Sequence, residues 1–469
     1  MKKTTPHYWK NASSFGIKEI DLLPENTLLG DSRPWQLLVL SANTLSTLNT
    51  ATENLAKYLA TNDKDLADVA YTLAKGFQHR PYRRMLVCQT VDEAIAKLND
   101  HEHLSTGFHE SEERPIAFMF PGQSTQYINM GRELYQVELT FREAVDTCAE
   151  ILKPMLALDL RNILYPNHEQ TSTHPCTTEA AHELDQIGLA LPAIFVISYA
   201  LATLWISWGR TPQAMIGYSL GEYVAATLSG GLSLQDALML VTTRAQLMQS
   251  LPEGQGTMLA VSEPKEKLLL RLREKRYRDL SLGIVSGSSL CMVSGRINAI
   301  EIMEKQLFDE NVMCRRLRTA HAYHSNMMDP ILAAFTEQVK PVKLHPPQIP
   351  YISNVTGTWI TEEEATNSIY WVKHLRQTVY FASGLSELLQ QPELILLEVG
   401  PGKNLSTLAK AQPEYTEQTI LRSLGHVREE QPDLERLLTT LGHIFIEGGV
   451  IDWDGFYAYE QHHLLSLSI

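Results

Sequence analysis

The chain has 469 residues, 44% of them hydrophobic and 20% charged, with a formal net charge of −14 at pH 7. That length supports several folding units with a sizeable core, and the acidic balance argues against general nucleic-acid binding, which needs a basic footprint. Five cysteines (Cys88, Cys148, Cys176, Cys291 and Cys314) show no CxxC spacing, which reads as free thiols in a reducing compartment and argues against a disulfide framework or a zinc site.

The first stretch, "MKKTTPHYWKNASS", has two lysines but no apolar run, so it does not read as a signal peptide. Cytoplasmic location is expected. Residues 1–33 read as an irregular leader or linker. "WQLLVLSAN" then predicts a strand, "LSTLNTATENLAKYLATN" and "DLADVAYTLAKG" two amphipathic helices, "YRRMLVCQT" a strand and "VDEAIAKLND" a helix. This βααβα order predicts a small α/β unit over 34–112. The polar stretch "HEHLSTGFHESEERP" reads as a boundary.

A larger α/β core is predicted over 113–257 and 319–410. It begins with the buried strand "IAFMFPG". The run "IGLALPAIFVISYALATLWISW" has 22 residues without a charge. By length it could span a membrane, but its Pro192, Ser198, Thr203 and Ser207, and the lack of flanking basic clusters, suit a buried helix beside a central sheet. "AMIG" predicts a short strand leading into "YSLGEYVAATLSGG". Between 258 and 318 the order βαββαβ predicts an inserted ferredoxin-like unit. "PYISNVTG" and "ELILLEVG" return to the large sheet, and 411–469 forms a C-terminal segment with one good helix, "PDLERLLTTLGHIFIEGG".

Gly217-Tyr218-Ser219-Leu220-Gly221 matches G-x-S-x-G between a strand and a helix, the context of a nucleophile elbow. An ordinary turn also fits this pattern. A serine nucleophile needs a base. His321 and His324 in "HAYHSNMMDP" are the candidates, and the residues alone do not choose between them. "FPGQSTQ" follows a strand end, where ligands bind in α/β sheets. Its Gln123 N–H, with that of Leu220, could face an oxyanion. Arg244, isolated in the apolar helix "LVTTRAQLMQ", suits bidentate binding of a carboxylate; a structural salt bridge would suit it too.

Together, "FPGQ", "GYSLGE", "LVTTRAQLMQSLPEG" and "HAYHS" resemble, in order, the acyltransferase domain of modular polyketide synthases and the malonyl-CoA:acyl-carrier-protein transacylases. The early α/β unit resembles the linker between ketosynthase and acyltransferase, and "IDWDGFYA" the segment that follows the acyltransferase. The resemblance implies an α/β fold: an α/β-hydrolase-like large subdomain with an inserted ferredoxin-like small subdomain. It implies Ser219 as nucleophile, His324 as base, Gln123 and Leu220 as oxyanion donors, and Arg244 as the clamp for a free carboxylate. Tyr218, Tyr323 and His321 are expected near the substrate, and a backbone carbonyl near Tyr380 is expected to orient His324. The implied reaction loads a malonyl-type unit from acyl-CoA through an acyl-serine ester onto the phosphopantetheine thiol of an acyl carrier protein, without metal or redox cofactor.

Two features depart from the family pattern. Tyr218 stands where the family usually has histidine, and Ser124 where it usually has glycine. Tyr323 keeps the aromatic ring associated with malonyl but adds a hydroxyl. The expected partners are an acyl-CoA or acyl-carrier donor, an acyl carrier protein and a ketosynthase, with no nucleic acid and no membrane. Residues 258–318 hold 12 Lys or Arg and 8 Asp or Glu. Their basic run "RLREKRYR" is a candidate carrier-docking face. The chain carries no ketosynthase sequence, so it is expected either to act in trans or to be part of a larger synthase. An acyl hydrolase of the same fold, transfer of an unusual substituted malonyl unit from a carrier, and a non-catalytic scaffold are the alternatives.

Overall fold

The computed structural model describes residues 32–100, 104–110, 113–166, 181–317, 319–467 and 469. Cys176 and most of the expected leader, 1–31, lie outside them; the other four cysteines are free.

Three sheets organise the described residues. In the first, β1 (Gln36–Ala42), β2 (Tyr82–Cys88) and β3 (Ser105–Phe108) pair antiparallel in that order. Thr44, Asp65 and Thr90 cap the three helices between and after β1 and β2 with side-chain oxygens. The strand β3 falls inside the stretch read as a polar boundary; its residues alternate half-buried and exposed, as at a sheet edge. The helix Asp433–Ile446 packs on all three strands. A Cβ on Gly442 would come within 3.0 Å of Met85 and Leu37 side chains. The C-terminal segment therefore closes the linker unit rather than forming a separate tail. Arg33 ties the two ends together, bonding Glu138 and Glu460 and lying 4.2 Å from the Phe456 ring centre.

The second sheet is parallel, in the order β10 (Tyr351–Ile352), β5 (Ala214–Gly217), β4 (Ile116–Phe120), β11 (Ile395–Glu398) and β12 (Ile420–Arg422). Both central strands, β4 and β5, are buried along their whole length, which explains their unbroken apolar runs. The strand β12 lies beyond residue 410, so part of the expected C-terminal segment belongs to this sheet. The apolar run forms the helix Ile187–Ser207, with 89% of its most apolar window buried inside the fold. Helices Leu139–Leu156 and Leu234–Gln249 pack along it.

The third sheet comprises β6 (Gly256–Val261), β7 (Leu280–Gly287), β8 (Leu290–Arg296) and β9 (Cys314–Arg316), with spatial order β7-β8-β6-β9 and every pair antiparallel. With helices after β6 and β8, this is the ferredoxin-like split motif.

Candidate active site

Register places the two key turns together. Phe120, the last residue of β4, pairs with Gly217, the last of β5. The Pro121–Gln123 turn and the 218–220 turn therefore leave the sheet side by side, at its C-terminal edge. They touch so closely that a Cβ on Gly122 would sit 2.6 Å from the Tyr218 carbonyl oxygen.

The serine turn is strained. Ser219 has φ 51°, a left-handed conformation that costs a non-glycine residue free energy. A Cβ on Gly217 would lie 2.0 Å from the Glu222 nitrogen, and one on Gly221 2.1 Å from the Phe120 oxygen. Both glycines are thus sterically required. Asn354, just past β10, braces the turn: its Oδ1 accepts from the Ser219 N–H at 2.7 Å, and its Nδ2 donates to the Gly217 carbonyl at 2.7 Å. Glu222 Oε2 accepts the Asn354 backbone N–H at 2.7 Å. Asn354 lies in the stretch "SNVTG", where nothing in the sequence marks it for this role.

Ser219 Oγ lies 2.8 Å from His324 Nε2. His324 Nδ1 lies 3.1 Å from the carbonyl oxygen of Gln377, which fixes the tautomer with its proton on Nδ1 and a lone pair toward Ser219. The orienting carbonyl is therefore that of Gln377, not one at Tyr380. The Tyr380 carbonyl instead accepts the Gly384 N–H in the next helix, whereas Gln377 ends the helix Ser368–Arg376 in an extended conformation that leaves its carbonyl free. Burial, then the nearby Arg244 charge, holds the His324 imidazolium well below the usual histidine range, so the ring is neutral.

Arg244 projects from the helix Leu234–Gln249 and is 2% exposed. Its Nη2 donates to Ser219 Oγ at 3.2 Å, its Nη1 lies 3.4 Å from His374 Nδ1, and its guanidinium sits 5.6 Å from the Tyr223 ring centre. Among the described residues no carboxylate bonds it directly. Glu222 stands behind His374, 3.3 Å from its Nε2. The N–H groups of Gln123 and Leu220 find no acceptor among the described residues. Both residues line a cleft of about 1010 Å³ between the large and small subdomains, with Ser219, His324 and Arg244.

Residues 117–450 match the family model described as acyl transferase domain, and residues 36–98 match that described as CurL-like, PKS C-terminal. The chain belongs to the acyl transferase domain family. This acyltransferase is 31% identical over 433 residues to one of the phenolphthiocerol/phthiocerol polyketide synthase proteins of Mycobacterium tuberculosis, a match covering 89% of this chain and 28% of that protein. The chain thus spans little more than a quarter of that relative's length. It superposes on the acyl transferase domain of ZmaA with a TM-score of 0.87 and 39% identity, covering 93% of this chain and 99% of that one. For the acyl transferase domain of SpnD in complex with 2-(pent-4-yn-1-yl)malonyl, the TM-score is 0.78 and the identity 33%, covering 92% and 99%. It is an acyltransferase of the polyketide synthase type.

The remaining predicted residues of the acyltransferase divide. Tyr218 lines the cleft, packs edge-on against Phe381 at 4.9 Å between ring centres, and shares a 2.8 Å hydrogen bond with Ser286 Oγ of the small subdomain. Burial pushes its phenol up to about 12. Tyr323 also lines the cleft, and its hydroxyl accepts from Gln123 Nε2 at 3.3 Å. His321 is buried but is not among the cleft-lining residues. The chain reverses at His324, whose φ is 53°, and this turn, closed by Ser325 Oγ donating to the Ala322 carbonyl at 2.6 Å, aims only the second histidine at Ser219. The basic run is partly neutralised: Arg271 bonds Glu263 and Glu310, and Arg276 bonds Glu274. Arg273 and Lys275 have no ion-pair partner among the described residues.

Proposed function

We propose that this acyltransferase moves a malonyl-type acyl group from a CoA thioester to the phosphopantetheine thiol of an acyl carrier protein, through an ester on Ser219. The observation that carries this reading is Arg244, a buried guanidinium beside the Ser219 hydroxyl with no carboxylate bonded to it among the described residues. A free carboxylate on the acyl group supplies the missing charge, in the bidentate geometry that a guanidinium fork favours.

In the first half-reaction Ser219 Oγ attacks the thioester carbonyl as its proton passes to His324 Nε2. The Gln123 and Leu220 N–H groups face the oxyanion that forms. Collapse breaks the carbon–sulfur bond, and the CoA thiolate leaves with the proton from His324. The carrier thiol then repeats these steps in reverse, releasing Ser219. Ser219, His324 and the two thiols balance every bond and proton, so the scheme requires no further cofactor, and it predicts ping-pong kinetics. Lys403 and Arg428 on the large subdomain, with Arg315 and Arg316 on β9, line the same cleft and favour entry of a phosphate-bearing pantetheine arm.

A second reading, with a polar substituent on the malonyl unit, is favoured by the Tyr218, Ser286 and Tyr323 hydroxyls around the cleft. Intact-mass measurement after exposure to malonyl-, substituted malonyl- and acetyl-CoA tests both. A malonyl increment that disappears in Ser219→Ala is expected. An increment retained in Ser219→Ala overturns the assignment, and preference for a hydroxyl-bearing unit selects the second reading.

A further inference from the structure

The small subdomain does more than wall the cleft: one of its strands reaches behind both members of the Ser–His pair. The strand β7 lies at the edge of its sheet, where unpaired backbone groups are available. The segment following Gln377 takes them up. Val379 N–H donates to the Gly283 carbonyl at 2.9 Å, Val285 N–H to the Val379 carbonyl at 2.8 Å, and Thr378 Oγ1 to the Leu282 carbonyl at 2.7 Å. The next residue, Tyr380, donates its N–H to the Asn354 carbonyl at 2.8 Å. The carbonyl that orients His324 is thus fixed one residue away from β7 and three from the brace on Ser219.

The pairing of β7 with β8 skips Gly283 and Ser286. Such bulges re-aim the residues they release. Here Gly283 offers its carbonyl to Val379, while Ser286, fully buried, turns its hydroxyl to Tyr218 and its carbonyl to Gln412 Nε2 at 3.2 Å.

We propose that Thr378 and Ser286 are positioning residues for the Ser219–His324 pair: β7 holds the Gln377 carbonyl behind His324 through Thr378 and Val379, and holds Tyr218 beside Ser219 through Ser286. The inference rests on Ser219 and His324 being nucleophile and base. It does not depend on which acyl group is carried.

The test is the rate at which a fluorophosphonate labels Ser219, followed across the acid range in the full chain. This probe needs no acyl donor, so failure of malonyl-CoA to acylate the wild type would count against the substrate reading alone. Thr378→Val is expected to slow labelling roughly tenfold, a fraction of what general-base assistance contributes. The Gln377 carbonyl favours the protonated ring, and the charged or titratable groups facing that ring are Arg244 and His374, the latter 6.5 Å away between ring centres. Loosening the carbonyl therefore moves the acidic limb of the rate profile to lower pH, which a simple loss of folded protein would not do. Thr378→Ser, which keeps the hydroxyl, restores both rate and limb. Ser286→Ala is expected to slow labelling without moving the limb. The proposal is overturned if Thr378→Val matches the wild type in rate and limb, if Thr378→Ser is no better than Thr378→Val, if Ser286→Ala labels at the wild-type rate, or if the wild type is not labelled.

Discussion

Arg244 Nη2 and Ser219 Oγ are 3.2 Å apart, so the cation proposed to hold the acyl carboxylate touches the proposed nucleophile before substrate arrives. Arg244→Ala should leave the substrate carboxylate buried without its partner, which costs about 3–5 kcal/mol, equivalent to a loss of roughly two to three orders of magnitude or more in malonyl loading. Acetyl loading should be little affected or rise. The melting temperature should fall as well, by what the variant loses in packing against Tyr223 and His374, equally for both acyl donors. Loading rates for malonyl- and acetyl-CoA, with a melting curve, check all three.

Acid should inhibit late and destabilise early. His324 is held neutral well below the ordinary histidine range by burial and by Arg244, so Ser219 acylation should stay level as pH falls through about 6.5 and decline only well below it. Stability follows the opposite course. His79 is pushed down to about 4 from 6.5, by burial first and then by Arg83, and burial also lowers His321 and His443. The unfolded chain binds more protons than the folded one between these values, so stability is lost as pH falls below about 6.5. His79 alone contributes about 3 kcal/mol of that loss by a pH of about 4. Melting temperatures and acylation rates over the same pH series separate the two effects.

Tyr218→Phe keeps the ring on Phe381 and removes the hydroxyl that meets Ser286. A buried Ser286 hydroxyl left unpaired should cost about 1–3 kcal/mol in stability. Chemical denaturation of this variant, beside Tyr218→Phe combined with Ser286→Ala, measures the pair: the double substitution should be closer to the wild type than the two single losses added together.

Ser124 adopts φ 76° on an exposed turn. A left-handed conformation costs a residue with a Cβ about 1–2 kcal/mol, and glycine adopts it freely. Ser124→Gly should therefore raise stability by about 1 kcal/mol, and a denaturation midpoint below that of the wild type would refute the strain.

Much of this was legible in the sequence because local chemistry dictates it. The glycines around Ser219 are forced by contacts shorter than any Cβ allows, and "IAFMF" and "AMIG" are apolar because both sheet faces are covered. The βαββαβ order shows itself through strand and helix periods alone. What stays hidden depends on long-range contact. Gln377 acts through its carbonyl, which every residue has, so no side-chain signal marks it. Glu222 and His374 lie on opposite sides of the inserted subdomain in the sequence and meet only in the fold, and Ser286 is one serine among many until a bulge turns it toward Tyr218. The strand β3 escapes sequence reading because an edge strand of four half-exposed residues looks like a polar loop.

The helix Ile187–Ser207 has one more consequence. Its walls come from opposite directions in the chain: Leu139–Leu156 is synthesised before it, Leu234–Gln249 after it. During synthesis, a rod apolar on nearly every side emerges with half its shelter still unmade. A chain interrupted between Ser207 and Leu234 would lack one of the two walls that cover this helix and would leave that face open to water or to another chain.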